Sequence, residues 1–146
     1  MTEPEHPTFF VDRALGKDVV ANALRNAGAL VEVHDDHFAP DAPDTDWLPE
    51  VSQRGWIVLT RDARIGLNIL EQVAVASSEA RVFVVSIDEA TGESMARALT
   101  QALSKMERLT QSHRAPFIAR VYEFGKVRMW KDQKKLLKTL QQVIEP

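Results

Sequence analysis

Gly55-Trp56-Ile57-Val58-Leu59-Thr60-Arg61-Asp62 is the stretch of sequence from which the fold can be read. Residues 56–60 follow a glycine and form a continuous apolar run, which is typical of a buried strand in a parallel sheet. Thr8-Phe9-Phe10-Val11-Asp12 repeats the pattern near the start of the chain. Ligands of open α/β sheets bind beyond the carboxyl ends of the strands. Both runs therefore end in an aspartate at the edge where such folds carry out their chemistry.

Strands and helices alternate along the rest of the chain. Apolar runs, helical spacing and capping residues predict strands over 8–11, 30–33, 56–60 and 81–87, helices over 16–27, 44–54, 64–76 and 91–112, a hairpin over 117–122 and 126–130, and a last helix over 132–144. Pro49 is expected to make the first turns of the second helix irregular or to move its start later. This alternation predicts a three-layer α/β/α sandwich with a mainly parallel sheet, in which we expect strand 8–11 to be central.

Size and composition bound the domain organisation. The chain has 146 residues, of which 45% are hydrophobic, and this suits a single domain over residues 8–146. We expect a core over 8–112 and an appended C-terminal hairpin and helix over 117–145. There is no cysteine, so thiolate metal sites are excluded. Residues 1–7 lack the features of a secretory signal and no apolar stretch is long enough to cross a membrane, so a cytoplasmic protein is expected.

The net charge of −3 hides an asymmetry. Residues 32–50 contain seven acids and no lysine or arginine, whereas residues 97–138 contain 11 of the 18 basic residues and three acids. An acidic centre and a basic C-terminal half suit a metal-dependent enzyme that acts on a polyanion. Two solvated faces of opposite sign are the alternative interpretation.

Four aspartates are the candidate catalytic residues. Asp12 and Asp62 each follow a strand, and Asp44 and Asp46 stand at the start of the helix that leads into the third strand. Carboxylates that converge cannot all ionise unless a cation joins them, and Mg²⁺ or Mn²⁺ prefers oxygen ligands. We therefore expect Asp12, Asp44 and Asp62 to bind the metal. Any one of them could instead simply cap a helix.

Nearby residues supply further candidates. Arg13, Arg61 and Arg64 could hold RNA phosphate oxygens, or they could pair with the same acids. The loop His34-Asp35-Asp36-His37 could bind Zn²⁺, but His-x-x-His alone is a weak signal, and a polar loop at the rim of the site is the favoured interpretation. There is no Gly-rich phosphate loop and no Gly-x-Ser-x-Gly nucleophile motif.

Four short motifs together resemble the compact PIN-like domains, similar to the VapC-type ribonuclease toxins of toxin–antitoxin pairs. The motifs are residues 10–16 (Phe-Val-Asp-Arg-Ala-Leu-Gly), 34–38 (His-Asp-Asp-His-Phe), 44–48 (Asp-Thr-Asp-Trp-Leu) and 56–62, and residues 117–121 also look like the family. The resemblance implies an α/β/α sandwich, an endoribonuclease that uses Mg²⁺ or Mn²⁺, and an antitoxin as partner. It matches Asp12, Asp44 (with Asp46) and Asp62 to the acids of the family.

One departure from the family pattern concerns the fourth acid. The glutamate that fuller PIN domains carry on an early helix has no clear counterpart here, and Asp36 or Glu32 are the candidate substitutes. The favoured hypothesis is a toxin that hydrolyses RNA phosphodiesters with a metal-activated water, and a homodimer is also considered. The alternative is a catalytically weak or inactive PIN-like module that binds RNA or a protein partner. A response-regulator-like phosphoacceptor ranks last, because its late strand ends in Ser86-Ile87-Asp88 without the expected lysine.

Overall fold

The computed structural model describes residues 6–144; the polar stretch 1–5 and the last two residues of the expected domain lie outside this range. Within it the strands are β1 (Thr8–Val11), β2 (Leu30–Val33), β3 (Ile57–Thr60), β4 (Arg81–Val85), β5 (Phe117–Val121) and β6 (Val127–Lys131). The α-helices are α1 (Val19–Asn26), α2 (Asp44–Gln53), α3 (Arg64–Leu67), α4 (Ile69–Ser78), α5 (Gly92–Ser112) and α6 (Gln133–Ile144).

All six strands form one sheet in the order β2-β1-β3-β4-β5-β6. The pairs from β2 to β5 are parallel, and only β6 is antiparallel. The predicted mainly parallel α/β fold is therefore confirmed. The expectation that β1 is central is wrong: β1 is second from the edge, and β3 and β4 occupy the middle. Apolar character shows that a strand is buried, but it does not give its position in the sheet.

Helices cover both faces of the sheet, because the strands bury side chains in both directions. Phe9 and Val11 point toward the layer that contains α1 and α5, whereas Phe10 points toward the layer of α2, α4 and α6. Each of these three side chains is almost completely buried, and burial stabilises by about 1.5–3 kcal/mol for a side chain of this size. The result is the expected three-layer arrangement.

The C-terminal hairpin is integral to the sheet. Strand β5 pairs in parallel with β4 over five residues, and β6 then closes the edge. The last helix, α6, packs against α4 and β6 through Leu136, which is fully buried. The hairpin and α6 thus share the hydrophobic core of the preceding elements.

Two helices differ from the sequence expectation. Helix α2 begins at Asp44 and continues through Pro49, because Trp47, Leu48 and Val51 on one face are buried and their packing outweighs the proline. The single helix expected over 64–76 is two helices, α3 and α4. They are separated at Asn68, whose backbone is extended (φ −92°, ψ 126°) and whose side chain caps α4.

Candidate functional site

A threonine hydroxyl connects the two aspartates that follow β1 and β3. Thr60 is buried at the end of β3, and its hydroxyl donates to Asp12 Oδ2 at 2.7 Å. The hydroxyl oxygen of Thr60 also accepts the backbone N–H of Asp62 at 3.1 Å. One Asp12 oxygen and the backbone of Asp62 are thereby fixed relative to each other. This explains why a threonine stands two residues before Asp62.

Two further carboxylates, from Asp44 and Glu71, converge on Asp62 beside these strand ends. One carboxylate oxygen from each of Asp44, Asp62 and Glu71 lies within 4.8 Å of the other two. Among residues 6–144 this is the one group of three or more acids or histidines close enough to share a cation. The charges of Asp12 and Asp62 both raise the pKa of Asp44, so Asp12 lies within electrostatic reach of the group.

Helix starts bring Asp44 and Glu71 to the group. Asp44 is the first residue of α2, and Glu71 lies in the first turn of α4, where the Asn68 side chain accepts the backbone N–H of Leu70 and of Glu71. The two helices pack against each other. Acidic side chains are favoured at helix N-termini by the unsatisfied N–H groups and the helix dipole. The two acids therefore sit where the backbone tolerates negative charge.

Burial and mutual repulsion shift the pKa values of the acids. Burial, followed by the charges of Asp12 and Glu71, raises the pKa of Asp44 to about 6. Burial also raises the pKa of Asp12 and of Glu71. The charge of Glu71 is thus among the causes that raise the pKa of Asp44. Carboxylates this close repel each other when both are ionised, and a divalent cation would offset that repulsion.

Arg64 neutralises the third member of the group. Its Nε donates to Asp62 Oδ1 at 2.9 Å and its Nη2 donates to Asp62 Oδ2 at 2.7 Å, while its backbone N–H also donates to Asp62 Oδ1. These hydrogen bonds lower the pKa of Asp62. The guanidinium itself is largely exposed, with 78% of the side chain accessible. Arg64 can therefore move into solvent without disturbing the core.

The other two arginines of the sequence prediction lie on either side of the acids. Arg13 is paired with Asp35 at 2.7 Å and also donates to the carbonyl of Pro40. It lines a cleft of about 310 Å³ beside β1, together with Lys17 and Arg25. Arg61 is exposed and lines a second cleft on the other side of the acids.

Several predicted acids and both loop histidines lie outside the group. Asp46 is exposed in the first turn of α2, and Asp36 is exposed in the short segment after β2. Glu32 binds His37 Nε2 at 2.7 Å. His34 is buried against the rings of Phe10 and Trp47, and its Nδ1 faces Asp35. The two histidines are thus used in packing and in separate acid contacts, and within residues 6–144 they form no joint metal-binding group.

Glu71 is the candidate residue that sequence reasoning missed. A continuous helix over 64–76 would have placed Glu71 on a solvent face. Because the helix breaks at Asn68, α4 takes a different direction and Glu71 faces the other acids. Asn68-x-x-Glu71 is an N-cap residue followed three positions later by a glutamate, which is the sequence signature of a helix start. That signature was available in the sequence and indicates the second helix.

An all-oxygen group of this kind fits a hard divalent cation. Carboxylates are the ligands of Mg²⁺ and Mn²⁺, and Mg²⁺ typically uses one or two of them together with waters and substrate phosphates. Asp44, Asp62 and Glu71 offer this set at the carboxyl edge of a parallel sheet. The half-buried position of all three lowers the local dielectric and strengthens cation binding.

Fold and site together define an α/β domain with an acidic centre at the carboxyl edge of its sheet. Residues 7–87 match the family described as "PIN like domain", and this segment covers β1 to β4 with all four acids. The chain therefore belongs to the PIN-like domain family. It is also similar to "Putative ribonuclease VapC45" of Mycobacterium tuberculosis, with 31% identity over 125 residues that cover 83% of this chain and 90% of the relative. No solved structure gives a significant match.

Proposed function

We propose that this protein is a metal-dependent endoribonuclease and the toxin of a toxin–antitoxin pair. The observation that carries the proposal is the convergence of Asp44, Asp62 and Glu71 within 4.8 Å at the edge where the sheet presents Asp12. Membership of the PIN-like family and the similarity to a relative named as a ribonuclease support it. The acting unit is a single domain over residues 8–146, because the hairpin continues the sheet.

Mg²⁺ or Mn²⁺ would be held by Asp44, Asp62 and Glu71, and when bound it would activate water and stabilise charge on the phosphate and the leaving oxygen. Asp12 completes the catalytic set. Its Oδ2 accepts the Thr60 hydroxyl, which holds the carboxylate beside the acidic group, where it would face the metal or the attacking water. Asp46 has no part in this proposal, because its side chain is exposed and away from the group.

Arg64 acts as an internal counter-ion in the metal-free protein. It satisfies both oxygens of Asp62, so Arg64 would have to move toward solvent for Asp62 to hold a cation. In that position Arg64 would be available to contact an RNA phosphate. In this way the two interpretations of Arg64 left open by the sequence describe two states of one side chain.

RNA approaches along the carboxyl edge of the sheet. The cleft beside β1 carries three basic residues (Arg13, Lys17 and Arg25) together with three acids (Asp18, Asp35 and Asp36), and Arg61 is exposed in the second cleft. Arginine and lysine supply most of the affinity for a phosphate backbone.

No helix among residues 6–144 has both the length and the apolar character needed to span a membrane.

An antitoxin protein is the proposed partner. Three large apolar side chains close to the acids are exposed: Leu67 by 68%, Ile69 by 59% and Leu70 by 75%. They flank Asn68 at the junction of α3 and α4, next to Arg64 and Glu71. An exposed apolar group of this kind is typical of a protein-binding surface. A partner bound there would lie against the acids and block access of RNA.

The test is cleavage of a fluorescent single-stranded RNA with Mg²⁺ or Mn²⁺. Asp12→Asn, Asp62→Asn and Glu71→Gln are each expected to abolish metal-dependent cleavage, because every one removes a charge that holds the ion or the attacking water. Asp41→Asn serves as the matched control, since Asp41 is an exposed carboxylate in the loop before α2. Full activity in the three site variants would overturn the proposal.

The alternative is a catalytically inactive module that binds RNA or a protein. One observation favours it: Arg64 donates hydrogen bonds to both carboxylate oxygens of Asp62, which a metal would need. Calorimetric titration with Mn²⁺ separates the two functions. Binding of one ion that is lost in Glu71→Gln supports the nuclease, whereas the absence of any binding supports the inactive module.

A further inference from the structure

Arg120 lies on the same face and level of the sheet as the acids, two strands away from β3. In the strand register Thr60 pairs with Val84 and Val84 pairs with Arg120. Neighbouring strands are about 4.8 Å apart, so the Cα atom of Arg120 lies about 10 Å from that of Thr60. Tyr122 directly follows the end of β5, and its extended backbone (φ −105°, ψ 173°) continues the alternation of the strand, so Tyr122 lies on the same face as Arg120.

The charge of Arg120 has no acidic partner within the described part of the chain. Its guanidinium stacks on Trp130, with Cζ 3.5 Å from the ring centroid. Its Nε is buried without a hydrogen-bond partner. Arginine is rarely this buried without a partner, because the cost of desolvating the charge is then not repaid.

A second arginine adds another positive charge without an acidic partner in the same part of the sheet. Arg128 on β6 is directly opposite Arg120 in the antiparallel register, and like charges in opposing positions destabilise a sheet. No acid pairs with Arg128 among residues 6–144. Arg120 stacks on Trp130 with an unused N–H group, and the charge of Arg128 on the neighbouring strand adds to the positive potential there, so an anion beside Arg120 would be favourable.

Arg120, but not Arg128, lines an open cleft that extends as far as the residue next to Asp62. It has a volume of about 610 Å³, lies across the ends of β3, β4 and β5, and is lined among others by Arg61, Ser86, Arg120 and Tyr122. Asp88 and Glu123 also line it. Ala63, the residue after Asp62, forms part of the same wall, so the cleft begins where the acidic group ends.

We propose that this cleft binds the nucleotide next to the cleaved phosphodiester, with its phosphate on Arg120 and Arg61 and its base against Tyr122. The inference rests on the proposed ribonuclease function and assigns the substrate subsite of the same active site. Aromatic side chains stack on any base, and bidentate arginines select phosphate geometry. The subsite therefore contributes affinity and orientation for single-stranded RNA without a fixed sequence preference.

The experiment measures RNA binding without cleavage. Fluorescence anisotropy of a labelled single-stranded oligoribonucleotide is recorded in EDTA over a series of salt concentrations. Arg120→Gln is expected to weaken binding about tenfold at low salt, which is the loss of one charge-assisted hydrogen-bonded contact. The slope of log K against log salt should fall in magnitude by about 0.7, the value for one phosphate contact on a single strand.

Arg81→Gln is the matched control. Arg81 is also half-buried with an unpartnered Nε on an interior strand, but it begins β4 at the opposite edge of the sheet. Its salt slope is expected to equal that of the wild type. Arg61→Gln provides a second variant in the cleft, since Arg61 is exposed and its replacement leaves the core intact; its slope should fall like that of Arg120→Gln.

If the slopes of log K against log salt in Arg120→Gln and Arg61→Gln equal that of the control Arg81→Gln, the subsite is overturned. In that case metal-dependent cleavage that is lost in Asp62→Asn would still support the proposed function, so the two failures are distinguishable. Polyglutamate that binds the wild type more tightly than Arg120→Gln, while the RNA salt slopes of the two proteins are equal, would assign the cleft to an acidic protein segment and would also overturn the proposal.

Discussion

Asp44→Asn is expected to stabilise the metal-free protein and to remove its response to metal. Burial and the neighbouring acids raise the pKa of Asp44 from its ordinary value of 3.8 to about 6. Because the folded pKa lies above the unfolded one, the folded protein binds more protons between these values. The resulting penalty is fully present above pH 6 and disappears as the pH falls toward 3.8. The contribution of Asp44 to stability therefore improves on acidification from pH 7 to pH 5.

The magnitude follows from the size of the pKa shift. For a fully buried group this shift would correspond to about 3 kcal/mol. Asp44 is only half-buried, and screening by solvent leaves about 1–1.5 kcal/mol. Loss of the favourable charge at the start of α2 opposes this by about 0.5 kcal/mol. The net gain of about 0.5–1 kcal/mol raises the Tm by about 2–4 °C for a chain of this size.

Thermal melting at pH 8, in EDTA and in Mn²⁺, measures both effects. Metal at ten times its Kd stabilises the wild type by about 1.4 kcal/mol, and this gain should be absent from Asp44→Asn. Asp41→Asn, three residues earlier and exposed, should behave like the wild type in both conditions. The reasoning is refuted if Asp44→Asn melts below the wild type in EDTA, or if it keeps the full gain in Mn²⁺.

Three further variants test the surroundings of the site. Glu71→Gln is expected to weaken Mn²⁺ binding about tenfold or more, measured by calorimetry, because the number of charged ligands sets the affinity of such sites. Arg64→Gln should strengthen Mn²⁺ binding about fivefold in the same assay, since it removes a competing positive charge from Asp62. Gly66→Ala should lower the free energy of unfolding by about 1–3 kcal/mol in urea melts, because a Cβ at Gly66 would overlap the ring of Trp130.

Matched controls accompany these variants. Glu79→Gln changes an exposed glutamate at the other end of α4 and should leave Mn²⁺ binding unchanged. Gly92→Ala places a Cβ in ordinary contact with Val19 at 3.5 Å and should cost far less than Gly66→Ala. Weaker Mn²⁺ binding in Arg64→Gln would show that Arg64 positions Asp62 for the ion instead of competing with it.

Local patterns in the sequence were sufficient to predict the elements of the sheet. The apolar runs that end at Asp12 and Asp62 predicted two strands and the edge at which the acids lie, and the long helix predicted over 91–112 is α5, which Thr91 caps. The hairpin predicted over 117–122 and 126–130 is formed by β5 and β6. These features depend on residues close together in the chain.

Features that depend on distant contacts could not be predicted in the same way. The place of β1 in the sheet and the register that aligns Arg120 with Thr60 are set by strand pairing across the whole chain. The apolar spacing over 64–76 continues through Asn68, so it gave no sign of the break. Glu71 was missed for this reason, although the N-cap pattern before it was visible.

The ring of Trp130 rests on Gly66, four residues past Asp62, so the last strand of the chain forms part of the floor under the acidic edge. The segment that matches the PIN-like family ends at residue 87, well before this tryptophan. A fragment cut to the family boundaries would therefore lack the ring that packs on Gly66 beside the acidic group. If the proposed nuclease activity resides in this group, the smallest active chain has to extend through β6.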